Sequence, residues 1–315
     1  MTSTNTGTTV VLGTRGSALA LWQAREVARL LRAAHPGLDV REQIIVTTGD
    51  RGQSGPPTLV EGKGAWVAEI EAALRAGTID LAVHSLKDVP AELAEGLALV
   101  AIPPRADPRD ALVSRSGAGI DGLAPGSRVG TSSLRRVCQL RAARRDLQIE
   151  ILRGNVDTRL RKVSEGVVDA AVLACAGLDR LGFSARIAER IPVARMLPAI
   201  GQGALAIEAR RDDARVVALC RVLADPDAEA TVAAERALLA ALGVGCRTPV
   251  AGHATLQEDR VTISGLVGRP DATEILTETV TGSVGEAASL GSELGRRLLA
   301  AGAGRILAEL ESRPA

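Results

Sequence analysis

The sequence predicts an α/β fold of two lobes with mainly parallel sheets, followed by a small C-terminal α+β domain. The first observation is a pseudo-repeat: an apolar strand, a small polar turn and a helical pattern begin near Val10 and again near Arg128. The second is that each copy continues into a strand, a helix and a third strand introduced by Gly-x-x-Asp, at Gly77 and at Gly166. The third is the region beyond residue 226, where a long helical pattern, two alternating strands and a second helical region follow one another.

The elements of the two lobes correspond in pairs. Helical patterns follow the first strands and continue through Leu31 and Arg145. In lobe 1 the second strand is predicted at 42–47 and the third at 77–83. In lobe 2 the corresponding strands are predicted at 148–152 and 166–172. Only the first lobe carries a long connection rich in Gly and Pro, 49–64, and loops of this length are usually functional lids or disordered.

Two proline-containing stretches, 103–108 and 192–198, are predicted crossings between the lobes, because residues 204–208 then form a strand that returns to the first sheet. Two crossings predict a hinged cleft. Lobe 1 is predicted to comprise residues 1–103 and 203–222. Lobe 2 is predicted at 104–202, and the C-terminal domain at 223–315. The C-terminal domain should begin with a helix at 227–242, followed by two antiparallel strands at 260–267 and 274–281. Its end, 284–310, should be mostly helical.

The composition is that of an ordinary globular protein. With 315 residues, 46% of them hydrophobic, the chain is long enough for two or three domains with substantial cores. Residues 1–9 contain no basic side chain and no apolar core, and no apolar run is long enough to cross a bilayer, so we expect a cytoplasmic protein. The four cysteines lie far apart and the three histidines lack ligand spacing, which predicts a reducing compartment and no metal site.

Positive charge is concentrated in one segment. The formal net charge is +1, yet residues 131–162 hold eight Arg and one Lys against three acidic residues. One basic segment in a balanced chain indicates a compact anionic ligand, because a long nucleic acid usually needs a broad basic face. Aromatic side chains for base stacking are scarce, with one Phe, two Trp and no Tyr. We therefore expect a small-molecule ligand, with neither nucleic acid nor membrane as a partner.

Asp88 is the first candidate for chemistry. It follows Lys87 just beyond the point where the apolar strand ends, and open α/β sheets hold ligands at the carboxyl ends of their strands. The alternative for this segment is a solvated Lys87–Asp88 pair in a turn before Pro90, which would contribute little to stability.

Hydroxyl groups gather where the predicted helices begin. Ser17 precedes the first helix, and three hydroxyl residues precede the corresponding helix of lobe 2: Thr131, Ser132 and Ser133. Backbone N–H groups at helix starts bind anions, whereas N-capping, the alternative, requires only one hydroxyl per helix.

Guanidinium groups follow at the same strand ends. Arg135 and Arg136 come directly after the three hydroxyl residues, and Arg153-Gly154-Asn155 and Arg159 lie near the next strand end. Several Arg around one cleft suit a ligand that bears many carboxylates, because guanidinium and carboxylate pair in fork geometry. The alternative is a solvated Arg-rich face.

Two loops supply further candidates. Cys246 lies in a glycine-containing loop beside Arg247, where a thiol is a candidate for exposure and a depressed pKa, whereas the other cysteines lie in helical or apolar runs. Gln202 lies in the turn 197–204 and offers both a donor and an acceptor to a ligand; the alternative is a role in a tight hinge turn.

Taken in order, these segments resemble the porphobilinogen deaminase family, also called hydroxymethylbilane synthases. The resemblance runs from about Val10 to the C-terminus and implies two periplasmic-binding-protein-like (type II) lobes, a small third domain and a monomer. It rests on seven segments, which are 14–17 with 21–23, 62–64, 82–90, 131–136, 152–160, 198–204 and 235–249.

The resemblance implies a transferase of porphyrin and heme biosynthesis. Family members condense four porphobilinogen molecules stepwise, with release of ammonia, onto a covalently bound dipyrromethane primer, and they release the linear tetrapyrrole hydroxymethylbilane. Loss of ammonia from an aminomethylpyrrole leaves a cation, so the site needs a proton donor and then a fixed negative charge. Asp88 would serve both needs, and Cys246 would hold the dipyrromethane by a thioether.

Each pyrrole carries an acetate and a propionate, so the ligands implied by the resemblance are polyanions. The cofactor would contact Cys246, Lys87, Thr131, Ser132, Ser133, Arg135, Arg136, Gly154 and Asn155. The substrate would contact Arg15, Ser17, Lys63, Arg153, Arg159 and Gln202.

The chain departs from the family pattern near some of these residues. Ala18 replaces a common Pro, and Ala65-Trp66 replaces the usual Leu-Phe. Leu59 stands where some members have Lys, and Val244 replaces a second small glycine before Cys246.

Two other functions remain alternatives at this point. The same two-lobed cleft serves solute receptors and regulator effector domains, so fold alone does not exclude a binding module. A degenerate relative without activity is the second alternative, and the presence of both Asp88 and Cys246 argues against it.

Overall fold

The computed structural model describes residues 9–48, 67–243 and 248–311. The strands, in chain order, are β1 (Thr9–Thr14), β2 (Asp39–Ile44), β3 (Leu81–Ser85), β4 (Leu97–Ala101), β5 (Asp110–Ser114), β6 (Arg128–Gly130), β7 (Gln148–Glu150), β8 (Ala170–Ala174), β9 (Glu189–Ile191), β10 (Leu205–Arg210), β11 (Val250–Gln257), β12 (Arg260–Gly268) and β13 (Ile275–Ser283). The helices are α1 (Ala18–Ala34), α2 (Ala68–Arg75), α3 (Leu134–Ala143), α4 (Val156–Ser164), α5 (Cys175–Arg180), α6 (Ala214–Arg221), α7 (Pro226–Leu242), α8 (Ala287–Ala300) and α9 (Ala303–Glu311). Within these ranges, no helix is long and apolar enough to cross a membrane.

The chain divides into two compact units. The first contains the described residues up to Pro104 together with Leu205–Ala228, and the second contains Arg105–Ala204 together with the described residues from Glu229 onward. The division into three domains, in which lobe 2 and the C-terminal region are separate, stays a prediction.

The first unit, lobe 1, is built on a five-stranded sheet in the order β2-β1-β3-β10-β4. β1 pairs parallel with β2 and β3, whereas β10 is antiparallel to β3 and β4. The predicted return of residues 204–208 to this sheet is therefore confirmed. Helix α1 packs on β1 and β3 through an apolar stripe at helical spacing, which includes Ala24, Val27 and Leu31.

The second unit contains lobe 2, whose sheet has the order β7-β6-β8-β5-β9. It also contains the antiparallel sheet β11-β12-β13, and α8 packs on β12 and β13. Gly291 on α8 lies close to the carbonyl of Ala234 on α7, and a Cβ at this position would come within 1.9 Å of that oxygen. The fold class predicted from the sequence, two α/β lobes and a small α+β region, is confirmed. The sheet of each lobe is mixed, with two parallel and two antiparallel strand pairings.

The repeated Gly-x-x-Asp pattern has a specific structural cause. The Asp80 carboxylate accepts a 2.7 Å hydrogen bond from the backbone N–H of Val11, and Asp169 accepts a 2.9 Å bond from that of Arg128. The backbone N–H of each Asp donates in return to the carbonyl of the same residue, at 2.8 Å in both lobes. Each aspartate therefore ties the start of the third strand to the first strand, and β3 and β8 begin one residue after it.

This arrangement predicts a difference between two substitutions of Asp169. Asp169→Ala should lower the free energy of unfolding by about 1–3 kcal/mol, because the backbone N–H of Arg128 loses its acceptor. Asp169→Asn keeps an acceptor oxygen and should cost clearly less, since the ion pairs with Arg115 and Arg128 are partly exposed. Urea denaturation measures both variants. Equal losses would show that the charge, and not the hydrogen bond, matters.

Candidate active site

Asp88 lies on a short 3-10 turn, Leu86–Asp88, that directly follows β3. Leu86 and Val89 on either side are buried, at 2% exposure each, whereas Lys87 and Asp88 are half-buried. The backbone N–H of Val89 donates to the carbonyl of Leu86 at 3.0 Å and closes the turn. The two apolar anchors therefore fix a carboxylate at the carboxyl end of a central strand, as expected for a ligand site.

Arg15 and Ser17 lie at the same edge of lobe 1, because β1 and β3 are parallel neighbours with Gly13 opposite Ala82. The Ser17 hydroxyl caps α1 by accepting a bond from the Ala20 N–H at 3.3 Å. N-capping, the simpler alternative for this residue, therefore accounts for its hydroxyl in this structure. Arg15 is half-buried in the turn between β1 and α1.

The hydroxyl residues of lobe 2 behave differently. Ser133 is the N-cap residue of α3, but its side chain makes no capping bond. Instead, its backbone N–H donates to the hydroxyl of Thr131 at 3.2 Å, and Ser132 is exposed. The run of hydroxyls is thus not explained by capping, and it lies at the carboxyl end of β6.

The neighbouring strand end carries the second group of predicted binding residues. β7 is parallel to β6, with Glu150 opposite Gly130, so the segment after β7 lies at the same edge. Asn155 is the N-cap residue of α4, and its side chain likewise makes no capping bond. Gly154 has φ +113°, and a Cβ there would lie 2.8 Å from Thr158 Cγ2, so this turn requires glycine.

The same edge of lobe 2 holds two partly exposed guanidiniums. Arg153 precedes this turn and Arg159 lies in the first half of α4, and both are half-buried. The structure therefore brings Thr131, Ser132, Ser133, Arg153, Gly154, Asn155 and Arg159 to one edge of one sheet.

Arg135 and Arg136 point into lobe 2 and share one carboxylate, that of Asp110. The shortest N–O distance is 2.7 Å for each pair, and Asp110 is fully buried. Arg135 also donates to the carbonyl of Leu197 at 2.7 Å, and Arg136 to that of Val172 at 2.9 Å.

Gln202, another predicted binding residue, joins the same group. Its amide nitrogen donates to Asp110 Oδ1 at 3.0 Å and to the carbonyl of Pro108 at 2.7 Å. Burial alone would raise the pKa of Asp110, but the charges and hydrogen bonds of Arg135 and Arg136 outweigh it and hold that pKa well below its usual range. The carboxylate is therefore ionised and keeps three side chains in place.

Sequence reasoning did not identify Asp110 or Arg180. Arg180 donates to the carbonyl of Gly203 at 2.8 Å, and burial lowers its pKa to about 10. The Asp110-Ala-Leu-Val-Ser114 segment is a buried strand that begins with an acid, and this contrast is the signal that was available for Asp110.

A second buried carboxylate, Glu235 on α7, fixes the turn that contains Gln202. It binds Arg105 at 2.6 Å and accepts from the backbone N–H groups of Gly201 at 2.7 Å and Ala254 at 2.8 Å. Burial would raise its pKa, but Arg105 and His253 lower it to about 2. The ionised carboxylate thus links α7, β11 and the turn within the second unit.

Two predicted residues, Lys63 and Cys246, lie outside the described residues, as do Leu59, Trp66 and Val244. The other three cysteines, Cys138, Cys175 and Cys220, are buried free thiols. Burial raises the pKa of the three thiols to between about 11 and about 12. These residues therefore behave as small core side chains, as the sequence predicts.

Comparison with known proteins gives the family. Residues 10–218 match the family model described as "Porphobilinogen deaminase, dipyromethane cofactor binding domain", and residues 229–300 match "Porphobilinogen deaminase, C-terminal domain". A curated porphobilinogen deaminase of Syntrophobacter fumaroxidans is 50% identical over 299 residues, which are 95% of this chain and 97% of that protein. One of Syntrophotalea carbinolica is 51% identical over 303 residues, or 96% of each chain.

Among solved structures, the VFT2 domain of BvgS from Bordetella pertussis covers 68% of this chain and 84% of its own, at 18% identity and a TM-score of 0.40.

The family models and the two relatives cover both lobes and the C-terminal region. The chain therefore belongs to the porphobilinogen deaminase (hydroxymethylbilane synthase) family of transferases, which act with a dipyrromethane cofactor in tetrapyrrole biosynthesis.

Proposed function

We propose that Asp88 is the catalytic group with which this enzyme condenses four porphobilinogen molecules, releases ammonia at each step and forms hydroxymethylbilane. The observation that carries this proposal is the Leu86–Asp88 turn, whose buried neighbours fix the carboxylate at the carboxyl end of β3. A carboxyl group that is held in place can transfer a proton without first being ordered, which makes catalysis efficient.

Asp88 performs two consecutive tasks. The carboxyl group donates the proton that leaves with ammonia as the C–N bond breaks, and the resulting carboxylate stabilises the positive charge that develops on the pyrrole. The carboxylate then takes up the proton that the acceptor pyrrole carbon loses when the new C–C bond forms, which restores the acid for the next step. When bound, dipyrromethane supplies the pyrrole carbon to which the next unit is joined. Arg15 and Ser17 are proposed to bind the carboxylates of the incoming substrate at the same edge of lobe 1, and Lys87, beside Asp88, is proposed to contact the cofactor.

The edge of lobe 2 fits a group with several carboxylates. The N-cap side chains of α3 and α4 make no capping bonds, so the helix starts are suited to bind an anion, and Ser132 is exposed beside them. Arg153 and Arg159 add charge for bidentate pairing. We propose that these residues, with Thr131, Ser133, Gly154 and Asn155, hold the cofactor and the growing chain.

Arg135 and Arg136 are proposed to attract the anionic cofactor through their positive charge and to fix the position of α3. Two buried guanidiniums against the single carboxylate of Asp110 leave a net charge of +1 behind the start of this helix. In a low-dielectric interior such a charge attracts an anion more strongly than it would in water. Gln202, which donates to Asp110, is proposed to fix the position of these side chains relative to the turn at Gly203.

Cys246 is proposed as the attachment residue for dipyrromethane. The raised pKa values of the three described thiols make those residues poor nucleophiles, which supports the choice of the remaining cysteine. Lys63 is proposed as a substrate ligand on the basis of the resemblance in sequence.

The cellular setting is also a proposal. The free thiols support a reducing cytoplasm, and the near-zero net charge of +1 supports a small-molecule substrate without nucleic acid or membrane partners. We propose a monomer of three domains, with boundaries at 1–103 and 203–222, 104–202 and 223–315.

Replacement of the proposed catalytic group tests the mechanism. Asp88→Asn should lower turnover of porphobilinogen by about 10²–10⁴-fold, because an amide cannot donate the proton that leaves with ammonia. The urea midpoint should stay close to that of the wild type. Glu92→Gln, an exposed acid four residues further on, is the matched control and should turn over normally. Normal turnover of Asp88→Asn would show that another group is the catalyst.

Replacement of the proposed attachment residue tests the cofactor site. Cys246→Ser should fold and show an intact mass equal to that of the unmodified chain, because the hydroxyl is a far weaker nucleophile than the thiolate. Cys220→Ser, in the core of lobe 1, should keep the mass excess of the primer. A wild-type adduct on Cys246→Ser would place the attachment elsewhere.

Removal of the buried carboxylate tests the Asp110 group. Asp110→Asn should lower the free energy of unfolding by about 3–5 kcal/mol, because two buried guanidiniums lose their counter-charge. Glu165→Gln, which removes an exposed pair with Arg161, should change it far less. A loss as small as that of the control would contradict the proposed role.

The pH dependence of stability gives a second readout for Asp110. Its folded-state pKa lies below the unfolded value near 3.9, so its contribution is present above pH ~4 and is lost as the pH falls toward the lowered pKa. The fall in stability in this acid range should therefore be smaller in Asp110→Asn than in the wild type.

A further inference from the structure

A buried ionisable pair lies in lobe 1 just before the turn that carries Asp88. His84 Nε2 on β3 and Glu208 Oε2 on β10 are 2.9 Å apart, and their side chains are 4% and 1% exposed. The other carboxyl oxygen of Glu208 is buried and has no hydrogen-bond partner among the described residues. A buried carboxylate with one unsatisfied oxygen is costly for stability.

A second carboxyl group, that of Glu71, makes the burial of Glu208 still more costly for the stability of lobe 1. Glu71 on α2 lies close enough to interact with both residues, and burial, together with the charge of Glu208, raises the pKa of Glu71. His84 and, from the same helix, Arg75 oppose that effect. Two carboxyl groups and one imidazole are therefore close together, and Ala82, the strand partner of Glu208, belongs to a buried apolar cluster with Ile70 and Leu74.

Lobe 2 provides an internal comparison, because the two sheets have the same strand order and register. Ala82 pairs with Gly13 and Glu208 in lobe 1, as Ala171 pairs with Gly130 and Val113 in lobe 2. Val113 therefore occupies the position that corresponds to Glu208.

The residue of lobe 2 that corresponds to His84 is identified by the same strand register. His84 lies two residues after Ala82 on β3, and Leu173 lies two residues after Ala171 on β8. Leu173 and Val113 are buried members of one apolar cluster. The fold thus needs only an apolar contact where lobe 1 has the hydrogen-bonded His84–Glu208 pair.

The two lobes also differ in the segment that comes after the third strand. β3 leads into the turn with Asp88, whereas β8 leads into α5 at Cys175. His84 is four residues from Asp88, so the two Cα atoms are at most ~14 Å apart. A hydrogen bond fixes direction and distance more narrowly than an apolar contact does, which is one reason for proteins to keep buried polar pairs.

We propose that His84 and Glu208 are positioning residues for Asp88, which hold the end of β3 against β10 by a directed hydrogen bond. The pair does not touch substrate. It acts by fixing the strand from which the catalytic turn projects, and a displacement of about 1 Å at such a group can cost about 100-fold in rate. This inference rests on the proposed role of Asp88.

The test replaces the pair with its counterpart from lobe 2. The double variant His84→Leu/Glu208→Val should fold with a urea midpoint at or above that of the wild type and carry the primer, as measured by intact mass. Its kcat should fall by about 10- to 100-fold while KM stays within about twofold. An unchanged kcat would overturn the proposal.

Two further measurements separate positioning from charge. Glu208→Gln keeps an acceptor for His84 but loses the charge, so it should retain most of the kcat that Glu208→Val loses. The pH profile of the double variant should keep the midpoints of the wild type at reduced height. Equal impairment by Glu208→Gln and Glu208→Val, or shifted midpoints, would mean that the pair acts through its charge and would overturn the proposal.

Two controls complete the design. Val113→Ala weakens the corresponding site in lobe 2 and should lower the urea midpoint without lowering kcat, which excludes instability as the cause of the effect. Asp88→Asn is measured in parallel. If it turns over normally, the proposed catalyst is wrong; if it is inactive while the double variant is normal, only the positioning role is wrong.

Discussion

The carboxylate of Asp110 holds the guanidiniums of Arg135 and Arg136 inside lobe 2, and the organisation of that lobe depends on this interaction. Without it, two positive charges would lie in a low-dielectric interior without a counter-charge, which is among the most costly states for a folded chain. With it, the start of α3 has a fixed net positive charge behind it. We propose that the edge of lobe 2 which carries the starts of α3 and α4 then combines helix N–H groups, hydroxyls and partly exposed arginines around an anion.

The two lobes share one scaffold and differ in their chemistry. In both, an aspartate ties the first strand to the third, through Val11 and Asp80 or through Arg128 and Asp169. Beyond the strand ends, lobe 1 presents a carboxyl group on a rigid turn, and lobe 2 presents hydroxyl and guanidinium groups. One lobe is thus suited to transfer a proton and the other to bind carboxylates, which are the two requirements of stepwise pyrrole condensation.

The sequence predicted those features that depend on neighbouring residues. The pseudo-repeat, the Gly-x-x-Asp pattern and the place of Asp88 all follow from local periodicity and turn chemistry, and the structure has them. The partners of buried charges were not predictable in this way. Asp110 meets Arg135 only because β5 lies in the sheet beside β8, and His84 meets Glu208 across more than a hundred residues of sequence.

Short or isolated strands were missed for a related reason. β9 has three residues and β5 has five, so neither shows a clear period, and their place in the sheet comes from pairing with distant strands. The three hydroxyl residues before α3 were ambiguous as well, because the pattern for N-capping is the same as the pattern for anion binding. The structure shows that Ser17 caps its helix and that the Ser133 side chain does not.

The most direct test of catalysis by stepwise addition is the covalent mass of the purified enzyme after mixing with limiting porphobilinogen. The proposed function predicts a series of adducts, each heavier than the last by one deaminated porphobilinogen unit, on a chain that already carries the primer. A covalent mass that stays that of the unmodified chain, with porphobilinogen bound only reversibly, would contradict it and would favour a binding protein on the same scaffold.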